Sequence, residues 1–302
     1  MQTEQVSPRF VELDAWNSRD VIAAMYEGQL AAAAAVQGAL GDIARAVDDS
    51  VPGLQRDGRI VYVGAGTSGR IGVQDGTELP PTFGWPLDRL VFAMAGGLGA
   101  LTQSAEGAED DEGAGSAALA DVTVKPNDVV IGIAASGTTP YTIGALRAAT
   151  QAGAMTIALS NNPGAPLFEV ARHRILVTTG PEVIAGSTRM KAGTAQKIVL
   201  NLFSSAVMIR LGRVYRGNMV HMRSSNTKLR RRAEAMICQI VGCGPADAAL
   251  YLEQGQGDVK TAVLLGFGLT RSQAFSVLER HKGNLRPAID ELARNSDRTE
   301  KG

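Results

Sequence analysis

The sequence predicts an α/β protein, a doubly wound parallel five-stranded sheet followed by a small all-helical domain. Three observations carry this. Short β-branched runs alternate with helical stretches through about residue 212, two of those runs end in closely similar Gly/Ser/Thr junctions, and from about residue 226 only helical patterns with glycine breaks remain.

Residues 18–50 read as helical, with Asp20 a candidate cap ahead of the alanine-rich turns Leu30-Ala31-Ala32-Ala33-Ala34-Ala35. Strands are expected at 59–64, 90–94, 129–134, 155–160 and 174–179, and helices at 68–76, 98–107, 140–152, 165–171 and 189–212. Such alternation implies parallel pairing through right-handed crossovers, with helices on both faces of the sheet. Ligands in such sheets bind beyond the carboxyl ends of the strands. The expected organisation is a helical segment at 1–55 that packs on the sheet, a sheet domain at 56–225 and a helical domain at 226–302. The tail repeats itself at an offset of 26: Leu252-Glu253, Gly257-Asp258-Val259-Lys260 and Ala262-Val263 return as Leu278-Glu279, Gly283-Asn284-Leu285-Arg286 and Ala288-Ile289. In each copy a helix stops at glycine, Asp or Asn caps the next helix, and an aliphatic pair seals the turn.

Composition excludes several classes of function. With 302 residues, 45% of them hydrophobic, and 30 basic against 30 acidic side chains, the chain supports a sizeable core and carries no net charge to attract nucleic acid or an anionic membrane. No apolar run approaches the ~20 residues of a membrane span, and a cytoplasmic protein is expected. Cys238 and Cys243 are the only cysteines, too few for a disulfide framework or a four-cysteine zinc site. His173, His221 and His281 lack metal-ligand spacing, so no metal is expected.

The chemistry concentrates at the two junctions. Ile60-Val61-Tyr62-Val63-Gly64-Ala65-Gly66-Thr67-Ser68-Gly69-Arg70 and Val129-Val130-Ile131-Gly132-Ile133-Ala134-Ala135-Ser136-Gly137-Thr138-Thr139-Pro140 each run from a strand into small residues and hydroxyls ahead of a helix. Backbone N–H groups at a helix N-terminus, with hydroxyls beside them, form an anion site. A single junction is also ordinary turn chemistry; two in one domain point to a cleft for a phosphorylated small molecule. Gly64 to Gly69 fits G-x-G-x-x-G, but no acidic residue follows at the position that would hold a ribose, and no G-K-[ST] is present, which disfavours a nucleotide.

Three further segments accompany the junctions: Asp75-Gly76-Thr77-Glu78-Leu79-Pro80-Pro81-Thr82-Phe83-Gly84, Ala105-Glu106-Gly107-Ala108-Glu109-Asp110, and Gly186-Ser187-Thr188-Arg189-Met190-Lys191-Ala192-Gly193-Thr194-Ala195-Gln196-Lys197. With these five motifs, from about residue 10 to its end, the chain resembles the N-acetylmuramic acid 6-phosphate etherases, a branch of the sugar isomerase (SIS) fold. That family has Ala-Ser-Glu-Cys where this chain reads Gly76-Thr77-Glu78-Leu79, and often has an acidic pair where the first helix here reads Met25-Tyr26-Glu27-Gly28-Gln29. The tail resembles ubiquitin-associated three-helix modules, with packing or dimerisation the simplest role.

The resemblance implies cleavage of the ether joining D-lactate to carbon 3 of the sugar, by elimination and then hydration, with no metal or redox cofactor. It implies one general acid and one general base. Glu78, ahead of the rigid and partly apolar Pro80-Pro81 turn, is expected to be desolvated and protonated, and serves as the acid. The run Glu106, Glu109, Asp110, Asp111 and Glu112 by itself reads as a solvated acidic face; only the family match singles out Glu109, as the base. Thr67, Ser68, Gly69 and Arg70 of the first junction and Ser136, Gly137, Thr138 and Thr139 of the second are assigned to the phosphate and sugar. Ser187, Arg189 and Lys191 are expected to close over the sugar or its lactyl carboxylate, and Glu182 to touch a sugar hydroxyl. A homodimer is expected. Two rivals stand beside this reading: an aldose–ketose isomerase, for which His173 is the one histidine placed near the cleft, and a non-catalytic sugar-phosphate sensor of the kind found in glucokinase regulatory proteins.

Overall fold

The computed structural model describes residues 1–103, 105–222 and 226–299, and divides into two compact units, Met1–Thr77 with Leu87–Val207, and Glu78–Pro86 with the chain from Met208 onward. The first unit holds helices α1 (Ser18–Ala35) and α2 (Leu40–Leu54), followed by β1 (Ile60–Gly64), α3 (Gly66–Thr77), β2 (Leu90–Met94), α5 (Glu112–Asp121), β3 (Val129–Ile133), α6 (Pro140–Gln151), β4 (Met155–Ser160), β5 (His173–Leu176) and most of α7 (Lys191–Arg210). The strands form one all-parallel sheet in the order β2-β1-β3-β4-β5. β1, β3 and β4 are buried along their whole length, which is why they read as unbroken apolar runs rather than alternating ones. One face of the sheet packs Val61, Val63 and Val130 against Leu119, Ala145, Leu146 and Ala149 of α5 and α6.

The differences from the sequence reading have local causes. Asn17, not Asp20, caps α1: its side-chain oxygen accepts from Asp20 N at 3.1 Å. The helix expected at 98–107 shrinks to a 3-10 turn at Leu98–Leu101: Gly99 disfavours a longer helix, and Gly107 at the far end takes a positive φ of 71° that a helix does not allow. A helix missing from the sequence reading, α5, forms at Glu112–Asp121, where Asp111 accepts from Ala114 N at 2.8 Å. α5 lies directly on α6 because Gly115 faces the Tyr141 carbonyl and Gly144 faces the Glu112 carbonyl; a side chain at either would collide with backbone. The expectation that no apolar run reaches membrane length also needs correction. Ser18–Leu54 is one helical stretch whose most apolar 18-residue window has a mean hydropathy of 1.3, enough by length and composition to cross a membrane. Alanines supply that value, and the apolar face of α2 (Ile43, Ala46, Val47, Leu54) is buried, with α2 packing on β3, β4 and β5.

The second unit joins α4 (Leu79–Phe83) to α8 (Thr227–Val241), α9 (Pro245–Gln254), α10 (Val259–Gly266), α11 (Arg271–Arg280) and α12 (Leu285–Thr299). Arg213 ties the short segment in: its guanidinium donates to the Phe83 and Gly84 carbonyls at 2.9 and 2.8 Å and lies over the Trp85 ring at 4.9 Å. The repeat is visible in the caps, since Asp258 accepts from Thr261 N at 2.7 Å and Asn284 from Arg286 N at 3.1 Å, each after a glycine of positive φ. Val259, Ala262, Val263, Leu285 and Ala288 fill the core of this unit. Burial pushes His221 down to about 3, so its neutral ring donates to the Gly283 carbonyl at 3.2 Å and accepts from Lys260 at 3.4 Å.

Candidate active site

In a sheet of order β2-β1-β3-β4-β5 the chain leaves β1 in one direction and β3 in the other, so a crevice opens at the carboxyl ends of these two neighbours. Gly64 pairs with Ile133 at that edge, which sets the two junctions side by side. Between them lies a cavity of about 560 Å³, built entirely within the first unit. Thr67, Ser68, Ser136, Thr138 and Thr139 line it, together with Glu109, Asp110, Glu4 and Thr188. A smaller cavity of about 250 Å³ shares Ala65, Gly66 and Glu109 with it and adds Arg70 and Glu106.

The two junctions offer their donors differently. α3 starts at Gly66, whose φ of +50° lets the helix begin directly after the strand, and Gly69 lies so close to Gly64 that a Cβ there would meet its carbonyl oxygen at 2.8 Å. Gly69 N donates to Ala65 O at 3.0 Å, while the N–H groups of Gly66, Thr67 and Ser68, at the start of α3, have no intrahelical acceptor and suit an anion. At the second junction three N–H groups are engaged: Gly137 donates to Ala134 O at 3.1 Å, Thr138 to Ser136 Oγ at 3.1 Å, and Tyr141 to the Glu109 carbonyl at 3.0 Å. Ser136 Oγ also accepts from Thr138 Oγ1 at 3.1 Å, which leaves its own proton to donate.

The acidic run divides into separate tasks. Asp111 caps α5, Glu112 pairs with Arg147, and Glu109 and Asp110 line the cavity. The bond from Tyr141 N fixes the Glu109 backbone to the start of α6, so Glu109 is placed by the second junction itself. Glu78 belongs to the second unit, as the N-cap residue of α4. Its expected desolvation is not found: Glu78 is exposed, and burial at this turn falls on Leu79. Asp75, which sequence reasoning passed over, is buried three residues earlier and accepts from Tyr62 OH at 2.8 Å, anchoring α3 to β1. Burial raises its pKa, against the opposing bonds from Tyr62 and Ser204.

Several expected contacts have other partners. Glu182 is fully buried and accepts from the Lys191 and Ala192 N–H groups, both at 2.9 Å, so its carboxylate caps α7; burial raises its pKa and those N–H bonds oppose the rise. Lys191 Nζ donates to the Pro181 carbonyl at 2.9 Å, and burial lowers its pKa. Ser187 and Arg189 do not line the cavity, whereas Thr188 does. Arg70 donates to the Ala100 and Leu101 carbonyls at 2.9 to 3.2 Å and lines only the smaller cavity, while Gly69 and Gly137 serve as packing positions. His173 opens β5, at the end opposite the cavity, with Nε2 3.0 Å from Asp49 Oδ2. Glu4 escapes sequence reasoning because a short polar segment far from both junctions gives no pattern to read.

A cavity of hydroxyls and helix N-termini at the switch point of a parallel sheet defines a domain of the SIS type. Residues 112–206 match the SIS domain model, and residues 42–150 match the N-terminal SIS domain of glucokinase regulatory protein. The chain is 49% identical to a Deinococcus radiodurans protein named N-acetylmuramic acid 6-phosphate etherase, over 96% of this chain and 95% of that one. It is 47% identical to a protein of the same name from Erwinia tasmaniensis, over 95% and 94% of the two chains. The chain belongs to the N-acetylmuramic acid 6-phosphate etherase family.

Proposed function

We propose that this protein cleaves the D-lactyl ether of N-acetylmuramic acid 6-phosphate, giving N-acetylglucosamine 6-phosphate and D-lactate, as a lyase of cell-wall amino sugar recycling. The observation that carries the reading is one cavity lined by six serine and threonine residues together with Glu109, in a chain of that family. The phosphate dianion takes the free N–H groups of α3 and the hydroxyls of Ser68, Ser136 and Thr138.

An unactivated ether resists direct hydrolysis, so the sugar first opens to expose an aldehyde at carbon 1, which acidifies the proton on carbon 2. Glu109 removes that proton. The electron pair forms the carbon 2–carbon 3 double bond, the bond from carbon 3 to the lactyl oxygen breaks, and Glu78, assigned as the acid on the family resemblance and not on burial, gives the departing lactate its proton. Water then adds at carbon 3 and a proton returns to carbon 2. Each proton transfer contributes about 10²–10⁴-fold, and the route needs no metal or redox cofactor.

The working form is a homodimer. Supporting this, Ile22, Tyr26 and Leu30 recur every four residues along α1 and are 65%, 63% and 53% exposed, an apolar stripe of the kind that a second copy covers. The enzyme acts in the cytoplasm, where a phosphorylated sugar is retained. Sedimentation equilibrium at micromolar concentration gives twice the 31.6 kDa chain mass; the chain mass alone refutes the dimer.

Incubation of the purified protein with N-acetylmuramic acid 6-phosphate releases D-lactate. Tight binding of the sugar phosphate without lactate release overturns the reading in favour of a sensor, the rival that the match to glucokinase regulatory protein supports. An isomerised sugar phosphate as product overturns it in favour of an isomerase.

A further inference from the structure

We infer that Glu4 is a specificity residue of this cavity, a carboxylate that accepts hydrogen bonds from the hydroxyls of the sugar and so fixes which end of the ligand meets the serine and threonine wall. The inference rests on the reading of the cavity as a sugar-phosphate site.

The segment carrying Glu4 is fastened from below. Thr3 is fully buried: its hydroxyl accepts from Asn162 Nδ2 at 3.0 Å, and its carbonyl accepts from Gly186 N at 3.1 Å. Gln2 N donates to Asn162 Oδ1 at 2.8 Å, and Asn162, just past the end of β4, is itself buried and donates to the Ala135 carbonyl at 2.9 Å. The strap is thereby tied to the same strand ends that carry the second junction. It reaches that wall, with Met1 Sδ 4.0 Å from Thr138 Oγ1. Glu4 Oε2 lies 2.8 Å from where a Cβ would stand on Gly186, whose φ is +74°, so glycine there gives the carboxylate its room as well as the loop its turn.

Glu4 lines the cavity, is exposed, and has no ion pair or side-chain hydrogen bond among the described residues. A carboxylate held beside an anion site repels the phosphate, so it contributes nothing to gripping that group. Its complement is a neutral donor, and a sugar phosphate brings several hydroxyls to the side away from its phosphate. Glu4 therefore favours the pose with phosphate on Ser68, Ser136 and Thr138 and hydroxyls toward the strap, and it disfavours the reversed pose.

Direct binding of two probes, measured by titration calorimetry, separates this role from a structural one. In Glu4→Ala, N-acetylglucosamine 6-phosphate is expected to bind about 10-fold or more weakly, the range for a lost hydrogen bond to a charged group. Inorganic phosphate is expected to bind equally well or a few-fold more tightly. Glu4→Gln, which keeps an acceptor oxygen, falls between Ala and the parent for the sugar phosphate. Equal weakening of both probes overturns the inference, since Glu4 then acts through the shape of the cavity, and so does no change in either. If the parent protein binds both probes but releases no lactate, the etherase reading fails while the Glu4 comparison is still read from the same binding constants.

Discussion

The two junctions read almost alike in sequence and do different work in the fold. The β1–α3 junction begins a helix at a glycine of positive φ and leaves the N–H groups of Gly66, Thr67 and Ser68 without an intrahelical acceptor, so in the proposed function its grip on an anion is mostly backbone. The β3–α6 junction engages the N–H groups of Gly137, Thr138 and Tyr141 internally and presents hydroxyls, and the N–H of Tyr141 holds the Glu109 carbonyl at 3.0 Å. In the proposed function the first junction serves binding alone. The second would bind as well, and it sets the position of the proposed base. Similar glycine and serine spacing thus specifies a phosphate-friendly turn, while the neighbour that fills the N–H groups decides whether that turn also organises chemistry.

The largest effect expected from this division is at Glu109. In deuterated water, Glu109→Gln loses lactate release by at least ~10²-fold and also loses deuterium uptake at carbon 2, because every later step waits on that proton. Exchange that survives in this variant would move the base elsewhere and leave the second junction with binding alone. Glu78→Gln, outside both junctions, also loses lactate release by ~10²-fold or more, yet still washes deuterium into carbon 2, since the acid serves only the leaving group. Exchange absent in Glu78→Gln and present in Glu109→Gln reverses the two roles.

Smaller effects test the grip itself. Ser136→Ala removes a hydroxyl donor at the junction whose Gly137, Thr138 and Tyr141 N–H groups are already engaged, so the Michaelis constant rises about 10-fold or more while turnover changes little. Ser68→Ala leaves the open N–H groups of α3 in place, and the rise is about threefold. Steady-state kinetics on the two variants check the order. Equal rises erase the distinction between the junctions, and a collapse of turnover at constant Michaelis constant removes the phosphate role from whichever serine shows it.

Much was legible in the chain alone. The apolar runs of β1, β3 and β4 announce strands buried on both faces, alternation with helices announces parallel pairing, and the carboxyl ends of β1 and β3 carry hydroxyls that can serve only a ligand or a turn. Thr67, Ser68, Ser136, Thr138, Thr139 and Glu109, all named from sequence, do line one cavity. These are local signals, set by period, turn chemistry and motif spacing.

What the tertiary structure decided was how the remaining polar groups are matched. Glu182 and Lys191 look like substrate contacts in a string of residues, but the open N-terminus of α7 and the Pro181 carbonyl take them, because a buried polar group finds the nearest complementary partner in space. Glu109 leaves an acidic run that reads as solvated only because the packing of α5 on α6 brings its carbonyl to Tyr141. Glu4 enters the cavity through Asn162, 158 positions away, and no local pattern encodes such a contact. Sequence periodicity fixes which backbone groups point where over a few residues; which side chains meet depends on long-range closure of the chain, and that exists only once the sheet is assembled.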